Sequence, residues 1–168
     1  VQGQYARYRN YSSDAADLSL RFGEGGWPNY SSEPLLSGAA VPMAAPALLE
    51  RHGPFRQPAD FLAGPLVHDG STDNWAAWFA ANSVALPTPL TGMVCEDGML
   101  TRAAMLNGVG IALTRPQLLA HEIAAGELVV LSSHALPGSE GYYLCVRNDR
   151  ELPAALPRLI AWLRQGRS

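Results

Sequence analysis

The stretch spanning residues 96–113 constrains the fold of this chain more than any other. It opens with Asp97, which can cap a helix, and continues with apolar residues at three- and four-residue steps. These residues are Met99, Leu100, Ala103, Ala104 and Leu106. Asn107 and Gly108 end the predicted helix, because both tolerate the left-handed conformation of a helix C-terminus. Residues 110–113 are then uninterruptedly apolar, which predicts a strand covered on both faces.

This stretch is half of a parallel α/β unit, and strands alternate with helices along the rest of the chain. That alternation predicts the α/β class with a largely parallel sheet. In such sheets ligands bind beyond the carboxyl ends of the strands, at the N-termini of the following helices. Residues 71–73 can cap a helix that places Trp75, Trp78 and Phe79 on one face, and we expect the two tryptophans to be core residues.

Composition excludes several classes of protein. The chain has 168 residues, 48% of them hydrophobic and 16% charged, which is typical of a globular protein with a real core. All twelve basic residues are arginines, they are scattered, and the net charge is −3. Nucleic-acid binding by this segment is therefore not expected, since it needs a concentrated positive face.

No apolar run approaches the roughly 20 residues that span a bilayer, and the chain does not open with a signal peptide. The sequence thus predicts a cytoplasmic protein without membrane contacts. In that compartment Cys95 and Cys145 are expected to be buried free thiols, with a disulfide as the alternative.

Several motifs, collinear over almost the whole chain, resemble the effector-binding domain of LysR-type transcriptional regulators, especially the branch of the glycine-cleavage activator and the β-lactamase regulators. The first is DLSLRFGEGGWP at residues 17–28. The others are EPL at 33–35, VPMAAP at 41–46, LVHD at 66–69 followed by two tryptophans, GVGIAL at 108–113, GEL at 126–128 and GYYL at 141–144.

The resemblance implies two Rossmann-like lobes joined by two crossing strands, similar to type II periplasmic binding proteins. Lobe I would comprise residues 1–42 plus 145–168, and lobe II residues 43–144. The family's first strand and helix of lobe I have no counterpart upstream of Val1, so the fold is expected to be N-terminally truncated. The winged-helix DNA-binding domain is likewise expected to be absent from this chain.

Six residues are candidate ligand contacts. Gly98 and Met99 begin the helix of the central stretch, where unpaired N–H groups and the helix dipole favour a carboxylate. The alternative is an ordinary strand-to-helix turn. His68 ends a predicted strand and could donate a hydrogen bond to a ligand, or it could be a structural histidine paired with Asp69 or a loop carbonyl.

The resemblance adds Tyr142, whose hydroxyl could reach a ligand, and Phe22 with Gly23 as an opposite wall. For Tyr142 the alternative is an aromatic residue that packs at the hinge. Catalytic and metal-binding residues are not expected, because the four histidines lack paired metal spacing and no G-x-S-x-G motif is present. No cofactor is expected either.

The function that follows is a ligand sensor whose small effector is expected to carry a carboxylate, to close the two lobes and to bias how subunits pack. Partners would be that effector, further copies of the chain in a homodimer or tetramer, and DNA only through the missing winged helix. The helices near residues 46–51 and 116–124 are candidate faces for self-association. A solute-binding or carrier protein of the same fold is the main alternative, and a small-molecule enzyme is a third.

Overall fold

The computed structural model describes residues 16–86 and 89–165. Along the chain its strands and helices are β1 Leu18–Gly23, β2 Tyr30–Ser37, β3 Val41–Ala44, α1 Pro46–His52, β4 Leu66–Asp69, α2 Asp73–Ala81, β5 Met93–Cys95, α3 Gly98–Leu106, β6 Ile111–Thr114, α4 Ala120–Ala124, β7 Val129–Val130, β8 Gly141–Arg147 and α5 Leu156–Gln165. Two short 3-10 helices, Pro58–Ala63 and Pro116–Leu119, precede β4 and α4.

The chain divides into two compact units and passes between them twice. The described part of the first unit is residues 16–37 and 139–165, and the second unit is Gly38–Gly138. The expected boundaries after residues 42 and 144 fall inside β3 and β8, whereas the observed ones fall after Ser37 and Gly138. Strand β3 pairs within the second unit and β8 within the first. The expected lobe boundaries stay a prediction. Residues 1–15 of the expected lobe I lie outside the described residues.

The first unit contains a three-stranded antiparallel sheet in the order β1-β8-β2. Its central strand, β8, aligns Tyr142 with Phe22 on one side and with Leu36 on the other. Helix α5 is tied to β2 by the ion pair between Arg164 and Glu33, whose atoms lie 2.6 Å apart.

The second unit contains a five-stranded sheet in the order β5-β4-β6-β3-β7. Strand β4 runs parallel to β5 and β6, while β3 is antiparallel to β6 and β7. The α/β class with two units is confirmed. The prediction of largely parallel sheet is wrong for the described residues, because β3, β7 and the whole first sheet pair antiparallel.

Apolar side chains cover both faces of the second sheet, as the unbroken apolar strands predicted. Successive residues of β4 alternate between two clusters, with Leu66 in one and Val67 in the other. The Leu66 cluster contains the aromatic residues Phe61, Trp75, Trp78 and Phe79. The Val67 cluster includes Met43, Met105 and Leu128. The predicted core positions of Trp75 and Trp78 are confirmed, and so are the two buried free cysteines.

Helix α3 begins where its cap predicts but packs through a different face. Its buried residues are Thr101, Ala104 and Met105, whereas Met99 is 74% exposed and Leu100 is also exposed. The predicted apolar stripe is therefore wrong except at Ala104 and the half-buried Leu106. Six residues of this short helix are apolar and they lie all around its axis, so spacing alone did not identify the inner face. Thr101 is tolerated there because its hydroxyl donates to the Asp97 carbonyl oxygen at 3.1 Å.

The Asp97 cap carries a testable stability contribution. One carboxylate oxygen of Asp97 accepts a hydrogen bond from the Leu100 backbone N–H at 2.9 Å. Asp97→Ala should lower the free energy of unfolding by about 0.5–2 kcal/mol, because it leaves a helix N–H without its partner. Urea unfolding measures this difference. Glu96→Ala, at the exposed neighbouring position, is the matched control, and an equal loss in both variants would contradict the cap assignment.

Candidate functional site

The carboxyl ends of three parallel strands lie along one edge of the second unit. Strand β4 ends at Asp69, whose Cα is aligned with that of Cys95 at the end of β5. The Gly70 backbone N–H donates to the Cys95 carbonyl oxygen at 2.8 Å, which joins the two strand ends. Strand β6 is parallel to β4 and is followed by Arg115. This edge therefore gathers Asp69, Arg115 and the start of α3.

The N-terminus of α3 is open at this edge. A Cβ built on Gly98 would meet no atom within 4 Å, and Met99 is mostly exposed. The first N–H groups of a helix have no partner within the helix, and the macrodipole places roughly half a positive charge there. Two of the predicted ligand contacts, Gly98 and Met99, are thus side by side in a position where an anion can approach the backbone.

Asp69 and Arg115 were not identified from the sequence as site residues. Burial raises the pKa of the Asp69 carboxyl above its ordinary value, the Arg115 guanidinium opposes that shift, and the Asp97 carboxylate adds to it. The sequence did contain a relevant pattern, because Asp69 ends one apolar strand and Arg115 directly follows another. Using it required knowing that β4 and β6 are parallel neighbours, which places both strand ends at one edge.

The raised pKa of Asp69 predicts how pH acts on stability. The folded chain holds this proton more tightly than the unfolded chain, so ionised Asp69 disfavours folding at neutral pH. As the pH falls through the pKa of folded Asp69, that cost is relieved and the free energy of unfolding rises. The rise ends when the pH reaches the ordinary pKa of aspartate. Urea unfolding between about pH 4 and 7 gives the free energy of unfolding of the wild type and of Asp69→Asn. The difference between the two should shrink as the pH falls. A constant difference would contradict the prediction.

His68 is buried rather than presented at the edge. Its side chain is 1% exposed, and its Nε2 lies 3.2 Å from the Thr91 carbonyl oxygen. A Cβ on Gly92 would come within 2.6 Å of the same nitrogen, so the ring is enclosed by this segment. This geometry matches the structural alternative for His68, with the loop carbonyl as its partner. Its contact with a ligand stays a prediction.

The three remaining candidates lie together in the first unit. Phe22 and Tyr142 are neighbours across β1 and β8, with ring centroids 5.0 Å apart. Gly23 ends β1 at a φ of +153°, and a Cβ there would lie 3.1 Å from the Trp27 ring. The structure thus brings Phe22, Gly23 and Tyr142 together in one unit and Gly98 with Met99 in the other. The ligand contacts of all five stay predictions.

Among residues 16–86 and 89–165, no group of three or more His, Cys, Asp and Glu side chains is arranged to hold a metal ion. No helix in that part of the chain is both long and apolar enough to cross a membrane.

The two α/β units, between which the chain passes twice, place this protein in the class with a periplasmic-binding-protein-like fold. The chain belongs to the LysR substrate binding domain family, whose model matches residues 4–168. The HTH-type transcriptional activator AmpR of Rhodobacter capsulatus is 30% identical over 151 residues, which are 89% of this chain and 50% of that protein. The glycine cleavage system transcriptional activator of Escherichia coli K12 is 26% identical over 147 residues, 87% of this chain and 48% of that protein. The chain therefore spans about half the length of these curated relatives.

Solved structures agree on the fold. The effector domain of AmpR from Pseudomonas aeruginosa superposes with a TM-score of 0.74 at 22% identity, covering 93% of this chain and 74% of that one. The AmpR effector binding domain from Citrobacter freundii gives a TM-score of 0.76 at 23% identity, covering 93% and 76%. These likenesses confirm the predicted fold class.

Proposed function

We propose that this chain is the effector-sensing domain of a LysR-type transcriptional regulator. It binds a small carboxylate-bearing molecule, and binding controls DNA recognition and transcription by the intact protein in the cytoplasm. The observation that carries the proposal is the open N-terminus of α3 at the carboxyl edge of β4, β5 and β6. The helix N-terminus favours a negative charge there.

Control of transcription requires that the effector prefer one state of the protein. A ligand shifts a conformational equilibrium only by its difference in affinity for the two states, however tightly it binds. A regulator is favoured over a solute-binding or carrier protein, and over an enzyme, because both curated relatives are named transcriptional activators. Contact with DNA is expected from a winged helix in the intact protein.

The test is thermal unfolding of this chain with amino acids, small organic acids and short peptides. A ligand at 100 times its dissociation constant should stabilise by about 2.7 kcal/mol. For a chain of this size that is a shift of several degrees, at roughly 2–4 °C per kcal/mol.

Gly98→Asp is the decisive variant, because its side chain enters open space and carries a negative charge into the proposed anion site. It should fold as stably as the wild type, since an acidic residue suits the first turn of a helix, and yet lose the ligand-induced shift. Gly138→Asp is the matched control, because a Cβ at Gly138 also meets nothing within 4 Å. An undiminished shift in Gly98→Asp would overturn the proposed site.

Self-association is the other family property that we propose for this chain. Within the described part of the chain, β5 is an edge strand that pairs only with β4, and its Met93 and Val94 are exposed. Edge strands with exposed apolar side chains are ready to pair with another chain. The exposed positions of α1 are mostly polar, so we favour the β5 edge over that helix. Sedimentation velocity should show a dimer that Val94→Lys weakens; an unchanged dimer would exclude this face.

A further inference from the structure

A cleft opens within the first unit between helix α5 and the sheet. Its volume is about 290 Å³, and its lining comes from β2, β8 and α5. The apolar part of that lining consists of Leu144, Val146 and Ile160. Leu144 is fully buried, whereas Val146 and Ile160 are half-buried. The N-terminus of α3 belongs to the other unit, so this cleft is a separate feature from the proposed effector site.

Helix α5 covers the cleft without filling it. Its apolar residues Leu156, Ile160 and Leu163 recur at four- and three-residue steps and form one stripe. All three are only half-buried, and none of the side chains described in residues 156–164 is buried. In the second unit, by contrast, α2 buries three aromatic side chains. The cleft is therefore apolar surface that the described residues leave uncovered, and removing such surface from water favours binding.

The charged groups at the cleft cancel one another. Among the described residues that line it, only Arg164 of α5 and Glu33 of β2 are ionisable, and they form an ion pair. Nε of Arg164 also donates to the paired carboxylate oxygen at 3.1 Å. A charged ligand would have to compete with one member of this pair, whereas a neutral ligand leaves the pair intact. Ser31, also in the lining, offers a hydroxyl group that can both donate and accept a hydrogen bond.

We propose that this cleft is a second small-molecule site, for a neutral compound with one compact ring and a hydroxyl or amide group. The ring covers Leu144, Val146 and Ile160, and the polar group forms a hydrogen bond with Ser31. Ligand pockets in proteins usually have volumes of about 300–1,000 Å³, so a cleft of about 290 Å³ suits one ring rather than a larger skeleton. The inference does not rest on the effector site and holds whatever the effector is.

The experiment titrates benzyl alcohol, benzoate and benzylammonium into the chain and follows the methyl NMR signals of Val146 and Ile160. The three probes share one ring and differ in charge. Benzyl alcohol should shift both signals in a saturable way, and the two charged probes should bind there roughly tenfold more weakly, because each disturbs the ion pair. Both methyl groups belong to the first unit, so the readout reports on the cleft and not on a carboxylate bound at α3.

Two substitutions at Ile160 change the size of the cleft in opposite directions. Ile160→Trp fills it and should weaken benzyl alcohol binding roughly tenfold, with the Val146 signals as the readout. Leu159→Trp adds the same ring at an exposed neighbouring position and should bind as the wild type does. Ile160→Ala enlarges the cleft and should bind the larger 2-naphthylmethanol roughly threefold more tightly than the wild type, an effect that a poorly folded variant cannot imitate.

Three results would each overturn the inference. The first is the absence of a saturable shift when benzyl alcohol is added to the wild type. The second is binding of benzoate or benzylammonium at the cleft as tightly as benzyl alcohol. The third is an equal loss of benzyl alcohol affinity in Ile160→Trp and Leu159→Trp.

Discussion

Replacing Trp78 with alanine is expected to lower the free energy of unfolding by about 3–5 kcal/mol. The Trp78 side chain is 0% exposed, and its ring lies edge-on to those of Phe61, Trp75 and Phe79, with centroids 5.3–5.4 Å away. The substitution removes these contacts and leaves a cavity in the aromatic cluster of the second unit. It also removes the hydrogen bond from the indole N–H to the His134 carbonyl oxygen at 2.7 Å.

Urea unfolding followed by circular dichroism measures this loss. The slope of the free energy of unfolding against urea concentration should be the same in the variant and the wild type. Trp162→Ala is the matched control, since it deletes the same side chain from α5, where it is 66% exposed. Its effect should stay within about 0.5 kcal/mol. A loss below about 1 kcal/mol in Trp78→Ala would show that the aromatic cluster does not form the core of its unit.

The second large effect is expected from Gly92→Ala, just before β5. Gly92 has a φ of +149°, which residues with a side chain rarely adopt. A Cβ there would lie 2.4 Å from the Leu66 carbonyl oxygen and 2.6 Å from Nε2 of His68. The backbone oxygen cannot move without disturbing β4, so we expect a loss of at least about 2 kcal/mol from strain and displaced packing.

Thermal unfolding detects this change as a fall of several degrees, at roughly 2–4 °C per kcal/mol. Gly138→Ala is the control, because its added methyl group meets no atom within 4 Å. If Gly92→Ala unfolded at the wild-type temperature, this segment would not pack closely on His68. The packing would then give no reason to exclude His68 from contact with a ligand.

Local patterns predicted most of the elements correctly. Asp97 caps α3 because a carboxylate can accept from the first N–H groups, and the interaction lies within the short segment from Asp97 to Leu100. The unbroken apolar run of β6 predicted burial on both faces, and the structure places Ile111 and Ala112 in opposite clusters. Both interactions are local or periodic, so a single segment contains the information.

The inner face of α3 could not be predicted in the same way. Apolar residues surround that helix, and the choice of Ala104 and Met105 over Met99 and Leu100 depends on where the sheet lies. The antiparallel pairing of β3 with β6 was missed for a related reason. Strand direction depends on long-range hydrogen bonds between segments about 70 residues apart, and nothing in either strand alone encodes it.

For the candidate site, the sequence by itself determined the helix start that carries Gly98 and Met99, because the cap, the glycine and the preceding strand are adjacent in the chain. Only the tertiary structure decided which side chains share that edge. It joined Asp69 and Arg115 to the site through parallel pairing of β4 with β5 and β6, and it enclosed His68 beneath Gly92. The physical reason is that charge complementarity depends on distances between strand ends, and those distances exist only once the sheet has formed.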